Sequence, residues 1–551
     1  MKKFDVALLF IILIFTFVAY FPITGGFFQH DEWRAFGFFL TSDKSLISVF
    51  KPAISHYTPF TDLLLHLYLS VYELNFFWYA LSSIFAHLIV VFLSCILFSK
   101  LFKSYFLGLL AGLFFSVEAS GYQATSWIAA DINTHGSTIF GLLALIFFIN
   151  SKFNKIWLAI TSFLISLLFK EITVAFILLL FLLIYIYDKQ KLKKNWSNYV
   201  KIALAGFFYF LFRFLMIFFG KSNIEDRVVL ETQSFADIIN NLLSFPAKIF
   251  SQSLIPTIDL LRIAKIITKL LPLSSTGLYG TTSFDVFVEN VTLQVVDWTI
   301  FAAGIILLIL LVKKSKDRMV VKALIFGFLF VVLNSFIYVL SPGRSGSIPI
   351  VDSRNIYLPS LGSAVFLVSA AHLISNGRKL LISLIVLPFL VINFIGLKSE
   401  LGISTAQGAE RKEILSKIKI DYPNLPQKAV FFMISDTPFY GLPVSEKIFP
   451  FETNLGRTLM VWYLPSELSL KPLVEESEYL YRLTEEGYLE KGERGFGYFR
   501  NMERLKEAVK KNNLSSSSVI SYIYLAGSKT LIDNTKQARE ELEVSTHNGQ
   551  K

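Results

Sequence analysis

The length of the apolar runs constrains the fold of this chain more than any other feature. Between Phe76 and Phe98 there are 23 residues without one Asp, Glu, Lys or Arg. A helix of roughly 20 such residues crosses a hydrocarbon core of about 30 Å. Charged residues make up only 17% of the chain, whereas soluble domains carry about 25%. The sequence therefore predicts an α-helical, polytopic integral membrane protein.

About 11 apolar runs are predicted to be transmembrane helices. They lie at residues 5–22, 76–98, 104–118, 134–150, 156–169, 172–187, 202–219, 293–312, 320–340, 356–375 and 379–397. The runs 104–118 and 156–169 are short for a spanning helix, so the number of spans can change by two. The first run is interpreted as an uncleaved helix, because the bulky Tyr20 and Phe21 stand where a signal-peptide cleavage site needs small residues.

Basic residues set the predicted orientation, because cytoplasmic loops are rich in Lys and Arg. Lys2 and Lys3 place the N-terminus in the cytoplasm. Every loop then predicted to lie inside is basic, with Lys100, Lys103, Lys152, Lys155, Lys189, Lys191, Lys193, Lys194, Lys313, Lys314, Lys316, Arg318, Arg378 and Lys379. Topology thus accounts for the net charge of +11, and nucleic acid is not an expected partner because no base-reading motif is present. A prokaryotic plasma membrane is the expected location.

The chain is predicted to form two domains, 1–397 in the lipid bilayer and a soluble C-terminal domain at 398–551. Beyond residue 397 the sequence becomes polar. The run Ala429–Ile434 is typical of a strand, and Met502–Lys511 is typical of a charged helix. An odd number of spans places this small α/β domain outside the cytoplasm.

Two adjacent acids follow the first predicted span. Asp31 and Glu32 lie where a lipid-borne substrate would arrive, with His30 before them and His56 later in the same predicted outer loop. Transfer of a sugar to a hydroxyl requires a base. Asp31 is the candidate base and Glu32 a supporting acid, since consecutive side chains point in different directions. The alternative interpretation is that both acids are solvated loop charges.

Three basic residues are candidates for binding a phosphate. Arg354 lies at the predicted outer end of a span, where a guanidinium can bind phosphate oxygens bidentately or contact lipid headgroups. Lys170 and Glu171 separate two apolar runs. They either serve the site, pair with each other or cap a tight helix turn. Arg213 lies inside the run 202–219, where it faces a polar cavity or extends to the membrane surface.

Other polar or amphipathic features have structural interpretations. His87 is predicted to pack against a neighbouring helix. The polar stretch Glu118–Asp131 can line a site, although no single residue in it is diagnostic. Apolar residues within 235–250 share one helical face, which predicts a helix in the plane of the membrane surface.

These stretches, in this order, resemble membrane glycosyltransferases of the GT-C superfamily. The most similar types are the protein O-mannosyltransferases and the bacterial relatives of tetratricopeptide-containing transmembrane O-mannosyltransferases. The matching stretches cover roughly residues 1–375 and are Asp31-Glu32, Tyr57-Thr58-Pro59, Asn75–His87, Val117–Ile128, Phe169-Lys170-Glu171 and Arg354–Ser360.

The resemblance implies an inverting transfer of a sugar from a polyprenyl-phosphate donor to an extracytoplasmic acceptor. It assigns Asp31 to the acceptor, and Arg354 and Tyr357 to the donor phosphate. This chain has no tetratricopeptide array after the membrane region, which puts acceptor recognition in doubt. Metal dependence varies across the superfamily, so no metal or other cofactor is assigned.

Two further function classes remain open. A transporter or flippase of lipid-linked glycans is expected to show pseudo-symmetric halves or broken helices at the bilayer midplane, and the sequence indicates neither. A non-catalytic assembly protein would bind partners through its C-terminal domain. Asp31 and Glu32 in an open cavity would argue against that interpretation.

Overall fold

The structure is a computed structural model that describes residues 3–29, 31–41, 50, 57–150, 156–187, 189–219, 235–270, 284–340, 350–436, 455–476 and 486–548. Its contacts divide the chain into two compact units. The first unit comprises Met1–Ile23, Val49–Leu65 and Tyr79–Gly402, and the second comprises Thr24–Ser48, His66–Trp78 and Ile403–Lys551.

Most described residues are helical. The helices are α1 (Lys3–Tyr20), α2 (Asp31–Thr41), α3 (Pro59–Tyr72), α4 (Phe76–Phe102), α5 (Tyr105–Ser116), α6 (Gln123–Ser126), α7 (Ile128–Asn150), α8 (Ile156–Phe169), α9 (Phe176–Tyr187), α10 (Lys189–Phe219), α11 (Phe235–Leu254), α12 (Thr257–Leu270), α13 (Phe284–Phe287), α14 (Leu293–Lys314), α15 (Arg318–Ser335), α16 (Ser353–Ile374), α17 (Lys379–Asp421), α18 (Leu455–Tyr463), α19 (Lys471–Val474), α20 (Met502–Lys511) and α21 (Thr535–Asn548). A π-helical segment, Val288–Thr292, precedes α14.

Eight helical segments of the described residues are long and apolar enough to cross a membrane. They are Asp5–Gly25, Phe76–Phe102, Ile128–Ile149, Trp196–Met216, Val288–Lys314, Arg318–Val339, Ser353–Ile374 and Lys379–Asp421. The predicted runs 104–118, 156–169 and 172–187 correspond to shorter apolar helices, Tyr105–Ser116, Ile156–Phe169 and Glu171–Leu183. The predicted helical architecture, with several helices long and apolar enough to cross a membrane, is thus confirmed. The membrane location and the count of 11 spans stay predictions.

Helix α16 forms the centre of the first unit, with 94% of its apolar stretch buried. Glycines permit its close approach to α15. A Cβ added at Gly327 would lie 2.8 Å from the carbonyl oxygen of Gly362, and one added at Gly362 would lie 2.6 Å from that of Gly327. Small residues at such crossings are typical of helices packed within membranes.

The basic loops that follow α4, α14 and α16 meet at one end of the first unit. At the C-terminal end of α16, His372 Nε2 lies 3.1 Å from Asp317 Oδ2, just before α15. The Lys379 ammonium lies 5.5 Å from the ring centroid of Phe106 in α5. Arg354 lies 18 residues before His372 in the same helix, which corresponds to about 27 Å. The two ends of the unit are therefore separated by roughly the thickness of a bilayer core.

Helix α11 differs from the predicted helix at the membrane surface. Its first half does expose apolar side chains, with Leu243 55% exposed, but Phe245 and Ile249 are buried. The Phe250 ring packs against Phe366 of α16, with centroids 5.1 Å apart. Amphipathicity alone cannot indicate whether an apolar face meets lipid or neighbouring helices, and here the second half of this face packs within the protein.

The second unit contains a five-stranded sheet of order β2-β3-β1-β4-β5. The strands are β1 (Lys428–Ser435), β2 (Gly487–Lys491), β3 (Arg494–Phe499), β4 (Val519–Leu525) and β5 (Thr530–Asp533). The central β1 pairs parallel with β3 and β4, whereas the two outer pairs are antiparallel. The predicted strand at 429–434 and helix at 502–511 are confirmed. The predicted boundary at residue 397 lies within the continuous helix α17.

Candidate functional site

Arg354 lies in the first turn of α16 and packs on an aromatic ring. The centre of its guanidinium is 4.4 Å from the ring centroid of Trp127. Its Nη2 lies 3.6 Å from Asp352 Oδ2, and a quarter of its side chain is exposed. Packing on an indole restricts the orientation of a planar guanidinium, and guanidinium donors match the geometry of phosphate oxygens.

Lys170 and Glu171 lie between α8 and α9, where the helix is interrupted. Lys170 Nζ donates to Asn133 Oδ1 of α7 at 3.3 Å. Glu171 Oε1 accepts from Arg213 Nε at 2.7 Å and from the Tyr209 hydroxyl at 3.2 Å. These contacts join α10 to the turn between α8 and α9.

The Arg213 side chain is buried in the first unit, with 6% of the residue exposed. In addition to Glu171, it packs near the Tyr57 ring, whose centroid lies 5.7 Å from the guanidinium carbon. A charged group in an apolar span is costly unless it is paired. The contact with Glu171 supplies this compensation, so the arginine does not need to reach the membrane surface.

The three predicted phosphate-binding cations share one end of the first unit. Arg354 packs on Trp127, immediately before α7, and Lys170 bonds to Asn133 in the second turn of α7. Six residues separate these contact positions, or about 9 Å along a helix. Arg213 pairs with the residue after Lys170. Together they form a basic cluster, defined here as Lys170, Arg213 and Arg354.

Tyr357 lies deeper than Arg354, within a buried polar network. Its hydroxyl is 2.7 Å from His87 Nδ1, and both residues are buried. The His135 ring packs edge-on against Tyr357 at 5.1 Å between centroids, and His135 also pairs with Asp131. The predicted packing role of His87 is consistent with these contacts. Tyr357 anchors the first turns of α16 to α4.

The segment 117–122 is irregular backbone in the interior of the first unit. The Glu118 carboxylate accepts the backbone N–H groups of Ser120 at 2.7 Å and Gly121 at 2.9 Å. The Asn393 side chain accepts the N–H of Ala119 at 3.1 Å. Non-helical backbone at membrane depth requires such internal partners. Glu118 is thus a structural residue of the site that the sequence did not single out.

The stretch 121–127, which begins in this irregular segment, also supports Arg354. The backbone N–H of Gln123 donates to Ser353 Oγ at 3.0 Å, and Trp127 lies four residues further along. A Cβ added at Gly121 would lie 3.1 Å from the Tyr357 Cα. The stretch 121–127 therefore contacts three positions in the first two turns of α16.

Asp31 and Glu32 begin α2 in the second unit. Asp31 is exposed, whereas Glu32 is only 1% exposed. An acid in the first turn of a helix is stabilised in its ionised form by the helix dipole. Asp31 is therefore accessible from outside the unit, whereas the Glu32 side chain packs inside it. His30 and His56, the predicted supporting residues, lie outside the described residues.

Two further charged residues were missed by the sequence analysis. Burial raises the pKa of Asp62 to about 6, and an acid within an apolar stretch was the available signal. Arg411 in α17 is 3% exposed, and its Nε donates to the Phe28 carbonyl at 3.2 Å. Its charged surroundings in the sequence gave no indication of burial. Among the residues the structure describes, no group of three His, Cys, Asp or Glu side chains is placed to hold a metal.

No protein-family model matches this chain, and no curated protein matches it. The features that indicate a function are therefore the sequence motifs and the geometry of the basic cluster. Within the first unit, that geometry places residues from three separate stretches of the sequence at the same end.

The contact between Arg213 and Glu171 predicts the effect of Arg213→Leu. We expect correct membrane insertion but a lower unfolding temperature, because Glu171 loses its charged partner. The expected loss is on the order of 2 kcal/mol, below the range of about 3–5 kcal/mol for fully buried pairs, since about a third of the Glu171 side chain is exposed. If the protein uses a lipid-linked donor, donor binding should weaken as well.

Thermal unfolding in detergent measures this loss of stability. The double variant Arg213→Leu with Glu171→Gln should recover part of it, because the unpaired charge is removed. A single variant as stable as the parent, or more stable, would contradict a stabilising pair. That result is expected of an arginine whose insertion cost outweighs its contacts.

Proposed function

We propose that this protein is a membrane glycosyltransferase. It transfers a sugar, with inversion, from a polyprenyl-phosphate-linked donor to an extracytoplasmic hydroxyl of a protein, glycan or glycolipid. The observation that supports this most is the basic cluster at one end of the first unit, with Arg354 packed on Trp127. Departure of a polyprenyl phosphate develops negative charge, which preorganised cations stabilise.

On the donor side, Arg354 contacts the phosphate and Lys170 and Arg213 add positive potential. Arg354 is favoured for direct contact because its guanidinium presents a planar set of donors and part of its side chain is exposed. Tyr357 acts through position, since its hydroxyl contacts His87 in the interior. The buried network thereby holds the helix that carries Arg354.

On the acceptor side, Asp31 removes the proton of the attacking hydroxyl. A hydroxyl is a weak nucleophile until a base accepts its proton. The hydroxyl oxygen forms a bond to the anomeric carbon as the bond to the phosphate oxygen breaks. The leaving phosphate retains that electron pair, and Asp31 retains the proton. Glu32 supports the start of α2 from its buried position.

Transport of a lipid-linked glycan is the second candidate function. The irregular segment 117–122 and the interruption between α8 and α9 favour it, because interrupted helices are common in transporters. The sequence alone indicates no broken helices, so these interruptions are visible only in the structure. Lys170 lies in one of these interruptions, and Trp127, which packs on Arg354, follows the other. Both interruptions are therefore equally compatible with a fixed donor site.

The test is transfer of labelled sugar by the purified, detergent-solubilised protein. Polyprenyl-phosphate donors with different sugars are incubated with peptide, glycan and glycolipid acceptors. Labelled product with inverted anomeric configuration supports the proposal. Absence of transfer over the whole set, together with movement of lipid-linked glycan across proteoliposomes, would indicate transport. Absence of both activities would favour the assembly role.

The orientation can be tested by thiol accessibility. In a Cys95→Ser background, cysteines at positions 2 and 191 should react only from the cytoplasmic side. Cysteines at positions 31, 352 and 450 should react only from the opposite side, because the basic loops face the cytoplasm. Cys95 is buried, and replacement by the similarly small serine is expected to preserve packing. Labelling of position 450 only from the cytoplasm would contradict the proposed topology.

A further inference from the structure

Helix α12 (Thr257–Leu270) is fixed to the first unit along one face. Its residues Leu260, Ala264 and Thr268 are buried. The Thr268 hydroxyl donates to the Thr292 hydroxyl oxygen at 2.7 Å, at the end of the π-helical segment before α14. One side of α12 is therefore covered by protein, and the rest of its surface faces away from the first unit.

The remaining surface of α12 has an apolar flank and a basic flank. Ile263 is 39% exposed, Ile266 58% and Leu270 79%. The exposed basic residues are Arg262, Lys265 and Lys269. At 3.6 residues per turn, each set covers an arc of about 60°, and the two arcs are adjacent. Arg262 also pairs with Asp259, yet its side chain remains 66% exposed.

The position of α12 in the first unit follows from α14. This helix begins beside the anchor of α12 and ends at Lys314, close in sequence to the Asp317 that meets His372. Its 22 residues correspond to about 33 Å. Helix α12 thus lies at the end of the unit opposite His372, which is the end that carries Arg354.

We propose that α12 lies in the plane of the membrane surface and binds anionic glycerophospholipid headgroups. The apolar flank enters the boundary of the acyl chains, and the basic flank contacts lipid phosphates. Adjacent apolar and basic arcs are the arrangement by which amphipathic helices associate with anionic membranes. The basic flank is complementary in charge to anionic headgroups, and this complementarity is the reason for proposing that lipid class. The inference does not depend on sugar transfer.

The test uses a fluorophore attached at Ile266→Cys in the Cys95→Ser protein, reconstituted in lipid nanodiscs. Nitroxide-bearing phosphatidylglycerol and nitroxide-bearing phosphatidylcholine are compared as quenchers at equal mole fraction. Both should quench the label. Phosphatidylglycerol should quench more strongly, with a local enrichment on the order of fivefold for each engaged basic residue. High salt should reduce this difference in quenching between the two lipids when Arg262, Lys265 and Lys269 are all present.

Substitutions separate the two flanks. Arg262→Gln, Lys265→Gln and Lys269→Gln together should abolish the preference for phosphatidylglycerol while quenching by phosphatidylcholine persists. The matched control is Lys313→Gln, Lys314→Gln and Lys316→Gln at the opposite end, which should retain the preference. Equal quenching by the two lipids in the parent at low salt would overturn the proposal. So would a lack of quenching by either lipid, as expected if a protein covers this face.

Discussion

The variant Asp31→Asn is expected to reduce sugar transfer by about 10²–10⁴-fold, the usual contribution of general-base catalysis. Asparagine preserves the shape of the side chain but cannot accept the acceptor's proton. Asp31 is exposed at the start of α2, so the substitution should leave folding unchanged. Donor binding should also remain, because it is assigned to the basic cluster.

The neighbouring acid provides an internal comparison. Glu32 is buried at 1% exposure, and Glu32→Gln should lower turnover less than Asp31→Asn while lowering the unfolding temperature more. Glu503→Gln in α20 serves as a control for loss of an acid, because the Glu503 side chain is 80% exposed. Turnover of labelled polyprenyl-phosphate sugar is the measurement. Full turnover by Asp31→Asn would reject Asp31 as the base.

The helical architecture was predictable because hydropathy acts locally. Each long apolar run must be a helix in lipid, since its backbone polar groups have no water to bind. The run Phe76–Phe98 accordingly lies within α4, which extends to Phe102. The strand at 429–434 was visible for a similar reason, since a short apolar run between polar segments fits a buried strand.

The interruptions were not predictable, because their partners are distant in sequence. Residues 104–118 count as an apolar run, but the helix ends at Ser116. The N–H of Ala119 is satisfied by Asn393, 274 residues further along. No pattern within the run indicates that partner. The same limitation applies to segments 24–48 and 66–78, which cluster with the C-terminal region.

The candidate site was predictable in composition but not in pairing. Charged residues in apolar runs identified Lys170, Glu171 and Arg213 because such charges are costly. One expectation was that Lys170 and Glu171 pair with each other. The structure instead shows Glu171 with Arg213, 42 residues away, and Lys170 with Asn133. Only the packing of α7, α8 and α10 determines those contacts.

The variant Arg354→Lys is expected to raise the donor KM roughly tenfold to a hundredfold. Hydrogen bonds to charged groups contribute about 1.5–3 kcal/mol, and lysine loses the bidentate fork although it retains the charge. Lysine also lacks the planar group that packs on Trp127. Donor KM and turnover of the purified protein measure the effect. Arg318→Lys at the start of α15 is the matched control, because this exposed arginine lies at the opposite end of the first unit.

The substitution Trp127→Leu separates the phosphate contact from the packing that orients it. This variant retains the guanidinium but removes the ring beneath it, so its donor KM should rise less than that of Arg354→Lys. If the two variants have similar effects, the orientation imposed by Trp127 accounts for most of the contribution of Arg354. If Arg354→Lys has the donor KM and turnover of the parent, Arg354 does not bind the donor phosphate. The proposed donor site would then have to depend on Lys170 and Arg213, which contact Asn133 and Glu171.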